Sequence, residues 1–299
     1  MTGADKAFVG GMPAIYEKLF VPMIFEPYAR EMAERIAMSA PRDVLEIAAG
    51  TGVLTRAMAS RLGAEARIVA TDLNQPMLDR AIASQGPDDR VTWKQADGLA
   101  LPFDNQTFDV VVCQFGVMFF PDKIAGYREA QRVLRPTGRY LFNVWDAIQN
   151  NAFVVTVAQA LADMFPDDPP RFMERTPHGY HDLSAITADV RAAGFSSVQI
   201  ETVDSVSRAG SAFDAATAYC QGNPLAVEIE ARAPGKLQDV TETVAGALRL
   251  RFGDGAIEVP STLISSRRCP DRPMNFSGRE QTVSATLLAP GAVVPVASE

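Results

Sequence analysis

The chain has little of what a metal site or a disulfide framework is built from. Among 299 residues there are three cysteines, Cys113, Cys220 and Cys269, and two histidines, His178 and His181. An odd, scattered cysteine count reads as reduced thiols in a cytosol, and so few ligand-type residues leave no room for a dedicated zinc site. No apolar run approaches the ~18 residues a membrane span needs. The start, M-T-G-A-D-K-A-F-V-G-G-M, lacks the basic and then apolar stretch of a secretory signal. A cytoplasmic protein without a membrane partner is expected. Excess positive charge is also missing: 28 Lys and Arg against 36 Asp and Glu give −8. That counts against nucleic acid as partner and against docking on anionic lipid.

What is present is ordinary globular composition, 47% hydrophobic and 21% charged. The length allows a core without staples, in two domains or in one α/β domain with elaborated ends. Residues 1–40 alternate apolar and charged positions at helical spacing. Tyr16, Leu19, Phe20, Met23 and Ile24 share a stripe, and Pro22 is expected to kink or end that helix. Short apolar runs then alternate with helical patterns. Strands are expected near 44–48, 68–70, 91–97, 108–113 and 139–144, with helices between them. Such alternation predicts βαβ units and a parallel sheet, whose ligands bind beyond the carboxyl ends of the strands. Further on, helices are expected at 153–165, 183–193, 213–219 and 237–252, with strands at 198–206 and 257–264. The stretch 166–180, rich in proline, reads as a loop or lid.

The first chemical signal is D-V-L-E-I-A-A-G-T-G at 43–52. A strand ends in a tight turn where Gly50 and Gly52 let backbone approach a ligand, and the next helix offers free N–H groups. The dinucleotide pattern G-x-G-x-x-G fits badly, with Ala48 and Val53 in its first and third places. Asp72, 20 residues beyond Gly52, ends the second strand, where a carboxylate can accept from both hydroxyls of a ribose. Asp97 follows the third strand and is placed to accept from an adenine amino group. Gln114-Phe115-Gly116-Val117-Met118-Phe119-Phe120 follows the fourth, and L-R-P-T-G-R leads into the fifth.

With these five segments in register, the chain resembles the class I S-adenosylmethionine-dependent methyltransferases. It looks most like the small-molecule enzymes similar to the ubiquinone/menaquinone-biosynthesis C-methyltransferases. The resemblance is strong over about 42–145 and extends weakly to about 268. The family motif E/D-x-G-x-G-x-G stands here as Glu46-Ile47-Ala48-Ala49-Gly50-Thr51-Gly52, with Ala48 in place of the first glycine. The resemblance implies a Rossmann-like α/β fold whose central, mostly parallel sheet has seven strands. It implies an N-terminal helical cover at 1–40 and a methyltransferase domain at 41–268, with acceptor-side or lid insertions at 151–225. The tail 269–299 is expected to pack poorly. The implied cofactor is S-adenosyl-L-methionine. Gly50 and Gly52 would pass under its methionine part, and Glu46 would organise its ammonium group. Asp72 would take the ribose, flanked by Leu73 and Met77, and Asp97 the adenine amino group beside Gly98 and Leu99. The backbone of Gln114 would also hold the ammonium.

Methyl transfer from a sulfonium needs alignment and a dry pocket, and a general base only where the acceptor must lose a proton. His181 is the candidate base, with His178 as the alternative. Tyr16, Phe20 and Phe25 are expected in a mobile cover formed by residues 1–30. Phe115, Met118 and Phe119 are expected to line an apolar or aromatic acceptor side. The N-P-P-Y or D-P-P-Y motif of enzymes that methylate base and glutamine amino groups is missing, so the expected partner is a small-molecule acceptor (O, N or C). A monomer or homodimer is expected. Two other readings stay open: a nicotinamide-dependent oxidoreductase, and a non-catalytic S-adenosylmethionine-binding protein.

Overall fold

The computed structural model describes residues 3–6, 8, 10–264 and 282–288. Its centre is a sheet of eight strands in the order β3-β2-β1-β4-β5-β8-β6-β7. The parallel part is β1 (Asp43–Ile47), β2 (Arg67–Asp72), β3 (Val91–Gln95), β4 (Phe108–Gln114) and β5 (Leu134–Trp145). All five residues of β1 are buried, as expected of a strand covered on both faces. Alternation of side chains across the sheet sends Leu45 and Val111 into one core cluster and Val44, Val110 and Val112 into the other.

The helices in chain order are α1 (Met12–Ile15), α2 (Glu26–Ala37), α3 (Val53–Ala59), α4 (Gln75–Gln85), α5 (Lys123–Val133), α6 (Ala152–Met164), α7 (Phe172–Arg175), α8 (Leu183–Ala192), α9 (Ala212–Gln221), α10 (Leu225–Arg232) and α11 (Leu237–Phe252). Of these, α7 and α10 are absent from the sequence-based expectation. The stretch read as a loop holds α7, one turn whose Phe172 is buried.

Seven strands were expected, and eight are observed among the described residues. β6 (Ser197–Ala209) and β7 (Ile257–Ile264) fall near their expected places, and β8 (Thr282–Leu288) is added. β8 lies antiparallel between β5 and β6, so the stretch expected to pack poorly contributes a strand inside the sheet. The segment L-R-P-T-G-R, expected to lead into the fifth strand, is itself part of β5: Phe108 pairs with Leu134, but Val110 pairs with Arg139. Strand order reverses between β1 and β4, and the crevice there is the ligand position of an open α/β sheet.

Pro22 does not end the N-terminal helix. Tyr16–Phe25 is one π-helical stretch with Pro22 inside, running directly into α2. Wide π turns are uncommon and cluster at functional sites. Phe20, Val21, Met23, Ile24 and Phe25 are all buried. At ~1.5–3 kcal/mol per large apolar side chain their burial is worth on the order of 10 kcal/mol, comparable to a domain's whole stability. This stretch is therefore core, not a detachable cover.

Candidate functional site

The site begins where β1 stops. Ala48 follows the strand with φ +57°, then Gly50 with φ +57° and Gly52 with φ +83°. Left-handed backbone is free for glycine and costs other residues roughly 1–2 kcal/mol. Phe115, the residue after β4, has φ +51°, its N–H donating to Asn143 Oδ1 at 2.7 Å. Two strained non-glycine residues thus face each other at the switch point, as functional sites often require. Gly116 makes room for them: a Cβ there would lie 2.6 Å from the Ala48 methyl and 2.5 Å from Cys113 Sγ.

Asp72 ends β2 and is buried. Its Oδ2 accepts from Gly50 N–H at 2.9 Å and its Oδ1 from Asn74 N–H at 2.8 Å. Burial pushes its carboxyl up, and these N–H donors pull it part of the way back. Asp97 is exposed, with Oδ1 accepting from Leu99 N–H at 2.9 Å. Gln114 Oε1 is buried without a hydrogen-bond partner among the described residues. A lone acceptor at a cavity wall invites a donor from a ligand.

One cavity joins these groups, with about 1160 Å³ of space counting its open mouth. Its lining includes Ala48, Gly50, Asp72, Leu73, Met77, Asp97, Gly98, Leu99 and Gln114. Tyr16, Phe20, Phe25, Phe115 and Phe119 line it as well. Phe115 stacks on Trp145 with centroids 4.0 Å apart, and Tyr16 on Phe25 at 5.0 Å.

Four expected residues do not line it: Glu46, Gly52, Met118 and His181. Met118 is core. Gly52 is required by packing, since a Cβ there would lie 2.8 Å from the Trp93 ring. Glu46 is sealed behind the turn and accepts from Thr55 Oγ1 at 2.5 Å. Burial pushes its carboxyl up to about 8, against the lowering effect of that hydroxyl, so it is largely neutral at pH 7. His181 is exposed, its Nδ1 lying 2.7 Å from His178 O. His178 is the histidine that lines the cavity, buried among its walls. Two histidines three residues apart carry no sequence mark of which one faces inward. Sequence reasoning also missed Trp145, Asn151, Phe172, Tyr219 and Asn223, which reach the cavity from β5 and from 151–223. Among the described residues no cluster of three or more His, Cys, Asp or Glu could hold a metal, and no helix is long and apolar enough to cross a membrane.

The N-terminal residues cross the mouth. Asp5 is buried and takes a bidentate pair from Arg175, whose Nη2 also lies 2.7 Å from Glu228 Oε1. Phe8 N–H donates to Asn74 Oδ1 at 3.4 Å, and the Phe8 ring meets Tyr16 and Phe119 edge-on. Arg56 ties the glycine turn to the π-helical stretch, donating to Thr51 O and Glu17 Oε1, each at 2.7 Å.

Comparison with known proteins agrees with this geometry. Residues 44–138 match the family described as methyltransferase domain. A ubiquinone/menaquinone biosynthesis C-methyltransferase of Idiomarina loihiensis is 43% identical over 101 residues, 33% of this chain and 40% of that protein. A demethylmenaquinone methyltransferase of Clavibacter sepedonicus is 29% identical over 55% of this chain and 69% of its own length. The chain spans 40% and 47% of the first two curated relatives it matches. Among solved structures, a Haemonchus contortus phosphoethanolamine N-methyltransferase with S-adenosyl-L-methionine aligns at TM-score 0.54 and 15% identity, over 93% of this chain and 56% of that one. The YcgJ protein of Bacillus subtilis aligns at 0.52 and 15%, over 88% and 98%. Residues 44–138 thus carry a methyltransferase domain, and the fold is the one the aligned methyltransferase structure shows.

Proposed function

We propose that the protein transfers the methyl group of S-adenosyl-L-methionine to a small, uncharged acceptor with an aromatic or apolar face. The observation that carries this reading is that one cavity is lined both by the glycine turn with Asp72, Asp97 and Gln114 and by the aromatic residues Tyr16, Phe20, Phe25, Phe115, Phe119 and Trp145. The residues fit the cofactor. Gly50 leaves open space, with only the Met77 methyl within 4 Å of where its Cβ would stand, and Gln114 offers an unused acceptor. Asp72 would take the ribose hydroxyls and Asp97 the adenine amino group. Glu46 would act from behind the turn by holding Thr55 and the strand end. When bound, the cofactor supplies the electrophilic methyl. The chain's own work is to align the acceptor and exclude water. The relatives named for ubiquinone and menaquinone biosynthesis support a ring-bearing acceptor.

Calorimetry against S-adenosylmethionine, S-adenosylhomocysteine and NAD tests the reading. Binding of the first two and not the third is expected. Tight NAD binding alone would overturn it, and binding without turnover on an aromatic acceptor panel would favour a non-catalytic role.

The cover is confined to the segment before α1. Gly10, with φ +61°, and Gly11 have nothing within 4 Å of a Cβ position, so they can hinge. In hydrogen exchange, S-adenosylhomocysteine should slow peptides spanning 3–11, while 20–25 are already slow without ligand. Equal rates for 3–11 in both states would refute the cover. The buried π-helical stretch narrows the sequence-based expectation. Deletion of residues 1–24 would strip core and unfold the protein, whereas deletion of 1–9 would not.

A further inference from the structure

We propose that His178, through Nε2, accepts the proton of an acidic hydroxyl on the acceptor, so that a phenolic or enolic compound is the substrate class. This rests on the function proposed above and deepens it at the same cavity. His178 lies outside the matched domain segment 44–138. The sequence makes it the lesser of two histidines, and its placement is what raises it.

The argument starts with the tautomer. His178 Nδ1 lies 2.7 Å from the backbone carbonyl of Asp146. A carbonyl only accepts, so Nδ1 carries the hydrogen and the lone pair sits on Nε2. His178 N–H donates to Met173 O at 2.9 Å, which fixes the residue from its other end. Nε2 makes no hydrogen bond among the described residues, and His178 is one of the residues that line the cavity. The ring lies 6.1 Å from Trp145, itself stacked on Phe115. A fixed neutral acceptor thus stands beside the aromatic wall that would hold a planar ring.

The charged neighbours agree. The Asp146 carboxylate is turned to Ala147 N–H and Asn150 Nδ2, both at 2.7 Å. His181 places Nδ1 2.7 Å from the backbone oxygen of His178, and its charge adds to the lowering of the His178 imidazole. Lys6 reaches the cavity from the N-terminal crossing. None of these supplies a second base on the aromatic side. Burial pushes the His178 imidazole down to about 4, so it is neutral at pH 7. A base of that strength lies between a free phenol, near 10, and the strongly acidic hydroxyl that forms as the methyl bond grows. Proton transfer therefore becomes favourable during the reaction rather than before it. The hydroxyl proton moves to Nε2 and the electron pair it leaves makes the acceptor the nucleophile. That pair bonds to the methyl carbon while the carbon–sulfur bond breaks with its pair going to sulfur. The imidazolium returns its proton to water when the product leaves.

Nitrogen-15 NMR of the imidazoles tests this on the wild-type chain, which has only two histidines to resolve. The exposed His181→Gln variant assigns them. The protein is saturated with S-adenosylhomocysteine and titrated with 2-naphthol or with 2-methoxynaphthalene, which has no hydrogen to donate. 2-Naphthol should shift the His178 Nε2 resonance, leave His181 in place, and bind about tenfold more tightly than the ether, the value of one such hydrogen bond. If the naphthol binds without moving His178, or the ether binds as tightly, the proton-acceptor role is overturned and the aromatic chamber stands. If neither ring binds, both readings fall.

Discussion

Gly50→Val should leave a folded protein that no longer binds S-adenosylhomocysteine. Two features of the turn separate the outcomes. The backbone at Gly50 has φ +57°, so a branched residue is strained by roughly 1–2 kcal/mol or somewhat more. A domain stable by ~5–15 kcal/mol tolerates that. Space is the second feature: a Cβ at 50 would meet only the Met77 methyl, at 3.7 Å. The added side chain therefore enters the cavity rather than the core, where a ligand would have to pass. A melting temperature lowered by about 2–8 °C is expected, with calorimetric affinity down at least 100-fold, about 2.8 kcal/mol. Gly52→Val is the contrast. Its Cβ would lie 2.8 Å from the Trp93 ring and 3.2 Å from Ala81 Cβ, so that variant should lose the fold first. A Gly50→Val protein that melts as predicted and binds with unchanged affinity would remove the glycine turn from the site.

The contrast also explains what could be read without coordinates. The glycine-turn side of the cavity is written locally: left-handed turns demand glycine, and strand ends carry Asp72 and Asp97 at fixed distances from their strands. Ala48 shows the limit of such reading. It occupies a left-handed position that glycine would fill freely, and it is accommodated because residue 116, far along the chain, has no side chain. The aromatic lining is assembled from separate segments between Tyr16 and Tyr219, so Trp145, Phe172 and Tyr219 have no shared motif. His178 and His181 differ only in which way a single turn points them. β8 had a signal that was missed. Val283, Ala285 and Leu287 alternate with Thr282, Ser284 and Thr286, a strand period hidden between stretches rich in proline, glycine and serine.

Asp72→Ala should weaken S-adenosylhomocysteine binding at least tenfold, about 1.4 kcal/mol, while the sheet stays intact. Each carboxylate oxygen already accepts one N–H from the turn, Gly50 on Oδ2 and Asn74 on Oδ1. Oδ1 also accepts from the Asn74 amide Nδ2, at a long 3.4 Å. Of the roughly four acceptor positions of an ionised carboxylate, one on Oδ2 stays open, and a ligand hydroxyl on Oδ1 would replace that long amide contact. Hydrogen bonds to a charged group are worth ~1.5–3 kcal/mol each before water compensates. The freed N–H groups of Gly50 and Asn74 face the cavity and can be hydrated, so the fold loses less than the ligand does. Asp72→Asn keeps the shape and one acceptor oxygen and should fall between wild type and Asp72→Ala. The pH dependence has a definite sign. Burial raises the Asp72 carboxyl above the usual range, and only its ionised form can accept from both hydroxyls. Affinity in the wild type should therefore decline as pH falls through that raised value, earlier than an exposed aspartate would give, and Asp72→Asn should lack that decline. Calorimetry across pH on the three proteins reads both effects. An unchanged dissociation constant in a folded Asp72→Ala protein would rule out the ribose contact.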